Sequence, residues 1–184
     1  MKTKRLRILT SEITTTNKMT ITSASNATTS PDTAADPARA AKVHALMQNL
    51  LSKSPIYGLI LSDIQLVSVV AGSVTLQLKL TATHINSKGG LHGAVSATMV
   101  DFVTGLAICS HDLREKTGAS VDMHLMFLST AQAGDTVLVH GTADRVGGSL
   151  AFVSISINRL GEDGSETPVT LARHSKYVRG TRES

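Results

Sequence analysis

The sequence predicts an α+β domain in which a curved antiparallel sheet wraps around one long buried helix. The segment 93–110 is small or apolar on nearly every side, and several other runs alternate apolar with polar residues. A helix that is apolar on all sides must be surrounded by other elements, and runs that alternate apolar with polar residues are typical of half-buried strands. Because short glycine turns join the later runs, we expect five or six antiparallel strands in one domain, without internal repeats.

The 184-residue chain changes composition near residue 36. Residues 1–36 are basic, rich in Ser and Thr and poor in acids, and their apolar residues keep no sustained period. This composition predicts a disordered extension or a mitochondrial targeting peptide, and no apolar stretch of the secretory type follows the basic start. We therefore expect a folded domain at 37–180, a tail at 181–184, and a mitochondrial or cytoplasmic location.

A helix is expected before the sheet. Asp36 followed by Pro37 is a helix-start signal, and apolar residues then recur at helical spacing until Ser54 and Pro55. Two strand-like runs follow, and the buried helix comes after a loop rich in glycine. The later strands that short glycine turns join, at 147–148 and 161–164, are expected to be antiparallel neighbours. The predicted strands are 60–70, 74–80, 121–127, 137–146, 149–160 and 168–178.

Composition and charge exclude several function classes. A single cysteine, Cys109, excludes internal disulfides and Cys-rich zinc sites, and is expected to pack in the core. A net charge of +4 with three Phe, two Tyr and no Trp offers neither a basic stripe nor a stacking surface for nucleic acid. No apolar run approaches the roughly 18 residues that cross a bilayer. We expect no nucleic-acid or membrane partner.

The first chemical signal is His92-Gly93 at the start of the buried helix. The N–H groups of a first helical turn lack intrahelical partners and carry partial positive charge, and glycine lets a substrate oxygen approach them. Such a helix start is suited to polarising a carbonyl or holding an oxyanion. The alternative is a His-Gly turn that only caps the helix.

The second signal is Asp101, which has apolar neighbours on both sides in the buried helix. A carboxylate in apolar surroundings is a candidate general base or nucleophile, or alternatively caps a neighbouring element. Ser120, at the start of a later strand, is a candidate for orienting a water or the Asp101 carboxylate. The alternative for Ser120 is a surface hydroxyl without a role.

Several motifs then occur in a fixed order: Asn86, separated by five residues from His92-Gly93-Ala94, then Asp101, and the segments 119–123, 148–154 and 172–176. Together they resemble the hotdog-fold acyl-coenzyme A thioesterases over about residues 41–180, and most of all the branch typified by thioesterase superfamily member two. The resemblance implies a hotdog fold and a homodimer or dimer of dimers with its active sites at the subunit interface. It also implies a fatty acyl-coenzyme A substrate, which we expect to be of medium to long chain, and no metal or redox cofactor.

The resemblance also implies roles for individual residues. The N–H of Gly93 would polarise the thioester carbonyl, helped by Asn86 and with His92 beside it. Asp101 would face them from the other subunit as the base for water or as the nucleophile, oriented by Ser120. The coenzyme A phosphates would meet surface cations, for which the candidates are Arg173, Lys176, Lys88 and Arg114.

Two other functions stay open on the sequence. One is a hotdog enoyl-thioester hydratase or dehydratase, and the other is a non-catalytic acyl-thioester-binding protein. The presence of both Asn86 and Asp101 favours catalysis, since a pure binding protein needs neither. Ala94 stands where the family pattern commonly has a second glycine, and we expect it to affect acyl preference rather than activity.

Overall fold

A computed structural model describes residues 36–181, so the predictions for 1–35 and 182–184 lie outside the described residues. The predicted α+β architecture is confirmed: six antiparallel strands surround one long helix, and two helices precede them. A 3₁₀ turn, Ala82–His84, leads towards the long helix. The elements are α1 (Pro37–Lys53), α2 (Pro55–Ile60), β1 (Gln65–Val70), β2 (Ser73–Lys79), α3 (Gly93–Asp112), β3 (Ala119–Phe127), β4 (Thr136–Val146), β5 (Leu150–Leu160) and β6 (Glu166–Tyr177).

Helix α1 begins where the sequence predicts. The Asp36 carboxylate accepts hydrogen bonds from the N–H groups of Ala38 (3.0 Å) and Arg39 (3.1 Å), and Pro37 occupies the first helical position. Three apolar side chains of α1 are buried in the core: Val43, Leu46 and Met47. The helix ends at Lys53 because Ser54, which precedes a proline, is extended.

Helix α2 was not predicted, and the strand expected from residue 60 is wrong over residues 60–64. Pro55 opens a second helix that continues to Ile60, and β1 begins only at Gln65. Leu61 and Ile64, in the turn between them, are buried at 0% and 5% exposure. The apolar character of this segment therefore reflects burial of a turn rather than strand pairing.

The sheet order is β1-β2-β4-β5-β6-β3, and every pair is antiparallel. The glycine-turn hairpins are neighbours as predicted, but β3 and β4 are not. β3 instead pairs with β6 at one end of the sheet, where Met123 lies opposite His174. Residues 128–135 carry the chain from that end to β4, which lies beside β2, so β5 and β6 fill the space between β4 and β3.

Helix α3 lies against the inner face of the sheet with most of its side chains buried, Cys109 among them as predicted. A close approach to β4 is possible because Gly141 has no side chain: a Cβ atom there would lie 2.5 Å from Cγ1 of Val103. The expectation that no segment is apolar enough over the length of a membrane span is wrong for α3, which meets that test by length and composition, but most of it is buried inside this domain. Its apolar surface is therefore that of a core helix.

Candidate active site

His92 caps the start of α3. Its Nδ1 accepts a hydrogen bond from the Ala94 N–H (3.0 Å), and its carbonyl accepts from Val95 (2.9 Å) and Ser96 (3.1 Å). The capping alternative is therefore confirmed for this side chain. Because Nδ1 acts as an acceptor, a neutral His92 carries its proton on Nε2, and the residue itself is exposed.

Gly93 supplies the one first-turn N–H of α3 that has no acceptor among residues 36–181; those of Ala94, Val95 and Ser96 are all bonded. The position is partly exposed, and a Cβ atom there would lie 3.3 Å from Cζ of Phe127. The start of α3 thus presents an unpaired donor, with partial positive charge, beside an apolar ring. Such a donor can bind a carbonyl oxygen or an oxyanion.

Asn86 shapes the loop that leads into α3. Its Oδ1 accepts from the N–H groups of Lys88 (2.8 Å) and Gly90 (3.3 Å), and its Nδ2 donates to the Leu91 carbonyl (3.4 Å). The amide has one further hydrogen without a partner in the described part of the chain. Asn86 therefore holds the loop, and its amide group contacts Leu91, the residue that precedes His92-Gly93.

The Asp101 carboxylate is held by donors from three other elements. Its Oδ1 accepts from Nζ of Lys176 on β6 (2.8 Å) and from the Ser120 hydroxyl on β3 (3.3 Å). Its Oδ2 accepts from the Tyr57 hydroxyl on α2 (2.6 Å). The side chain is 32% exposed, so the carboxylate is fixed and still accessible.

These contacts decide the charge of Asp101. Burial raises its pKa, but the hydrogen bonds from Lys176 and Tyr57 and the charge of Lys176 hold the pKa below its usual range. Burial and the bond to Asp101 raise the pKa of the Tyr57 phenol, which therefore stays protonated. Asp101 is an anion at neutral pH.

His174 lies beside this cluster on β6 and is 1% exposed. Burial and the charge of Lys176 lower its pKa to about 4, so it is neutral near pH 7. Its Nδ1 lies 3.0 Å from the Thr104 hydroxyl, which itself donates to the Val100 carbonyl (2.6 Å). Nδ1 of His174 therefore carries the proton, and Nε2 is a buried acceptor without a partner among the described residues.

The four expected phosphate contacts lie in different places. The surface position expected for Lys176 is wrong, because this side chain points inward from β6 and is 4% exposed. Arg114 is also buried, and donates to Asp112 (2.8 Å) and to the Thr181 hydroxyl (2.8 Å). Lys88 and Arg173 are exposed, but only Lys88 lies in the Asn86 loop.

Two contacts of Asp101, with Lys176 and with Tyr57, were not predicted from the sequence. Lys176 has a signal, since alternation along β6 places it on the same inward face as Ala172 and His174. Tyr57 has no such signal in the sequence, because its position depends on α2, which the sequence does not predict.

Within residues 36–181 there is no group of three His, Cys, Asp or Glu side chains arranged to hold a metal ion.

The helix start and the carboxylate are separate places in one protomer. Gly93 and Asp101 are eight residues apart on the same helix, which corresponds to about 12 Å along its axis. A thioester carbonyl bound at Gly93 is therefore out of reach of Asp101 in the same chain.

Comparison with known proteins gives consistent matches. The family model described as the thioesterase superfamily matches residues 88–165. A Schizosaccharomyces pombe protein named as an esterase is 34% identical over 74% of this chain and 83% of its own length. Human acyl-coenzyme A thioesterase 13 is 29% identical over 70% of this chain and 89% of its own. The crystal structure of zebra fish thioesterase superfamily member 2 has a TM-score of 0.64 and 27% identity, covering 73% of this chain and 96% of that one.

Proposed function

This chain belongs to the thioesterase superfamily, and from that premise we propose that it hydrolyses acyl-coenzyme A to the free acid and coenzyme A. The observation that carries the proposal is the unpaired N–H of Gly93 at the positive end of α3. Hydrolysis of a thioester places negative charge on the carbonyl oxygen in the transition state, and a fixed N–H stabilises that charge. The remaining amide hydrogen of Asn86 supplies a second donor near the same turn.

The complete site is proposed to form between two protomers. Because Gly93 and Asp101 of one chain are about 12 Å apart, Asp101 of one protomer would face Gly93 of its partner. Among residues 36–181 β3 pairs with β6 alone, and its open edge supports an assembly in which two sheets meet. A homodimer or a dimer of dimers satisfies this requirement.

In the proposed reaction Asp101 acts as a general base. It takes a proton from a water molecule while the water oxygen bonds to the thioester carbon, and the N–H of Gly93 holds the resulting oxyanion. Collapse of that intermediate breaks the C–S bond, and the leaving coenzyme A thiolate takes up the proton that Asp101 removed from water, which restores the carboxylate. Ser120 contributes by its hydrogen bond to the carboxylate. The alternative mechanism is direct attack of the Asp101 carboxylate on the thioester carbon, and isotope labelling distinguishes it from attack by water.

The substrate is proposed to be a medium- to long-chain fatty acyl-coenzyme A. The support comes from the apolar ring of Phe127, which is 61% exposed and adjoins Gly93. Lys88, exposed in the Asn86 loop, is the cation that we propose meets a coenzyme A phosphate. No resident cofactor takes part in this proposal.

The test is thiol release from a panel of acyl-coenzyme A esters, short to long and one aromatic, by the wild type and Asp101→Asn. We expect kcat to fall by about 10²-fold or more in the variant, the scale of lost base catalysis. Asp63→Asn, at an exposed aspartate away from the site, is the matched control and should retain wild-type rates. Hydrolysis in H₂¹⁸O under single-turnover conditions separates the two mechanisms. Attack of water on the thioester carbon gives a labelled acid. After direct attack by Asp101, water attacks the aspartyl carbon, so the first acid released carries an unlabelled oxygen and the label enters the carboxylate.

Two results would contradict the proposal. Consumption of an enoyl-coenzyme A without thiol release would show a hydratase instead. Binding of acyl-coenzyme A without any reaction, by a folded protein, would show a binding protein.

A further inference from the structure

We propose that Tyr57 and Lys176 are positioning residues that fix the orientation of the Asp101 carboxylate and set the pH at which it takes up a proton. The inference rests on the proposed function only in taking Asp101 as the base. It starts from the three donors on this carboxylate, two of which no expected role explains: the phenol of Tyr57 and the ammonium group of Lys176.

The donors within residues 36–181 leave a single direction open on the Asp101 carboxylate. Each carboxylate oxygen has two lone pairs. Those of Oδ1 are taken by Lys176 and Ser120, and one of those on Oδ2 is taken by Tyr57. The remaining lone pair of Oδ2 is therefore the one that can accept a proton from water.

The two donors are themselves held in place. The Tyr57 ring packs edge-on against Phe102, with the ring centres 5.0 Å apart, so its hydroxyl points in one direction. The Lys176 side chain is 4% exposed and lies two residues from His174, which is fixed through its bond to Thr104. Rigid donors of this kind restrict the carboxylate to one orientation.

The charged and titratable groups around Asp101 come from three elements. Tyr57 faces it from α2, Lys176 and His174 from β6, and Asp122 on β3 acts on His174 through its charge. Since His174 is neutral near pH 7, the ammonium group of Lys176 is the cation that opposes protonation of Asp101 there. Its removal should raise the pH at which Asp101 becomes protonated.

Lys176→Met leaves a carboxylate that solvent can reach. Removing one partner of a buried ion pair is strongly destabilising when the remaining charge stays buried. Asp101 remains 32% exposed and can be solvated when Lys176 is absent. We therefore expect Lys176→Met to fold, which separates an effect on catalysis from an effect on the fold.

The experiment compares Tyr57→Phe and Lys176→Met with wild type by two readouts. The first is the titration of the Asp101 carboxyl carbon by ¹³C NMR, assigned with Asp101→Asn. The second is the pH profile of kcat/KM for acyl-coenzyme A hydrolysis. Tyr177→Phe and Lys79→Met, at exposed positions away from the carboxylate, are the matched controls and should change neither readout.

We expect the Asp101 titration and the acid limb of the pH profile to move to higher pH together, further in Lys176→Met than in Tyr57→Phe. At pH 7 kcat should fall roughly 10-fold in Tyr57→Phe and roughly 10- to 100-fold in Lys176→Met, the range for a hydrogen bond to a charged group, with KM nearly unchanged. Part of the loss in Lys176→Met should be recovered at higher pH, because Asp101 ionises again.

An unchanged Asp101 titration in both variants would overturn the proposal. A uniform loss of rate at every pH, together with a lowered melting temperature, would also overturn the proposal, because that pattern indicates a loss of folded structure. If Lys176→Met does not fold, Tyr57→Phe decides by the same criteria. If the wild type hydrolyses no thioester, the proposed function fails, and the NMR titration alone supports or refutes the positioning roles.

Discussion

Gly141→Ala tests how closely α3 and the sheet are packed. The added Cβ atom would lie 2.5 Å from Cγ1 of Val103 and 3.4 Å from Cβ of Ala107. Carbon atoms in favourable contact are about 3.5–4.0 Å apart, so β4 and α3 have to separate by about 1 Å at this point. Overpacking of this kind destabilises a core by about 1–3 kcal/mol.

The measurement is the melting temperature at a fixed protein concentration, because self-association shifts the transition. For a domain of this size, each kcal/mol lowers the melting temperature by about 2–4 °C, so we expect a decrease of about 2–12 °C. Gly148→Ala is the matched control, since a Cβ atom there meets nothing within 4 Å. A decrease no larger than that of the control would refute the close packing of β4 against α3.

Two further predictions follow from buried charged and titratable groups. Arg114→Met breaks a buried ion pair with Asp112. We expect the free energy of unfolding, measured in urea, to fall by about 3–5 kcal/mol, with an unchanged KM for acyl-coenzyme A. A raised KM in a fully stable variant would contradict this. His174 has a folded-state pKa of about 4, below that of an unfolded histidine. Between about pH 6.5 and 4 the unfolded state therefore binds a proton that the folded state does not. The stability of the fold falls as the pH falls through this range. We expect about 2 kcal/mol less stability at pH 5 than at pH 7, and a smaller difference in His174→Gln.

Local signals predicted much of the fold. Asp36 followed by Pro37 is a start signal that depends only on neighbouring residues, and α1 begins there. The alternation along 74–80 likewise reflects one buried face, and β2 has it. The position of β3 beside β6 was not predictable in this way, because it results from pairings between segments about 50 residues apart.

The candidate site was predictable to the extent that its residues stand out locally. Asp101 stands out because its neighbours in the sequence are apolar. In the structure the Ser120 hydroxyl donates a hydrogen bond to its carboxylate. Lys176 is predicted to be a surface cation because lysine is seldom buried without a partner, and its partner Asp101 is distant in the sequence. Tyr57 requires a six-residue helix, too short to show an apolar period.

The order in which the chain assembles follows from the contacts of Asp101. Tyr57 precedes it by 44 positions and Lys176 follows it by 75, on the last strand of the sheet. Contacts between distant segments form late, because the intervening loop has to close first. In a refolding experiment, recovery of hydrolysis should therefore coincide with protection of the β6 amides from hydrogen exchange and not precede it. Hydrolytic activity would then serve as a kinetic marker for docking of the final strand.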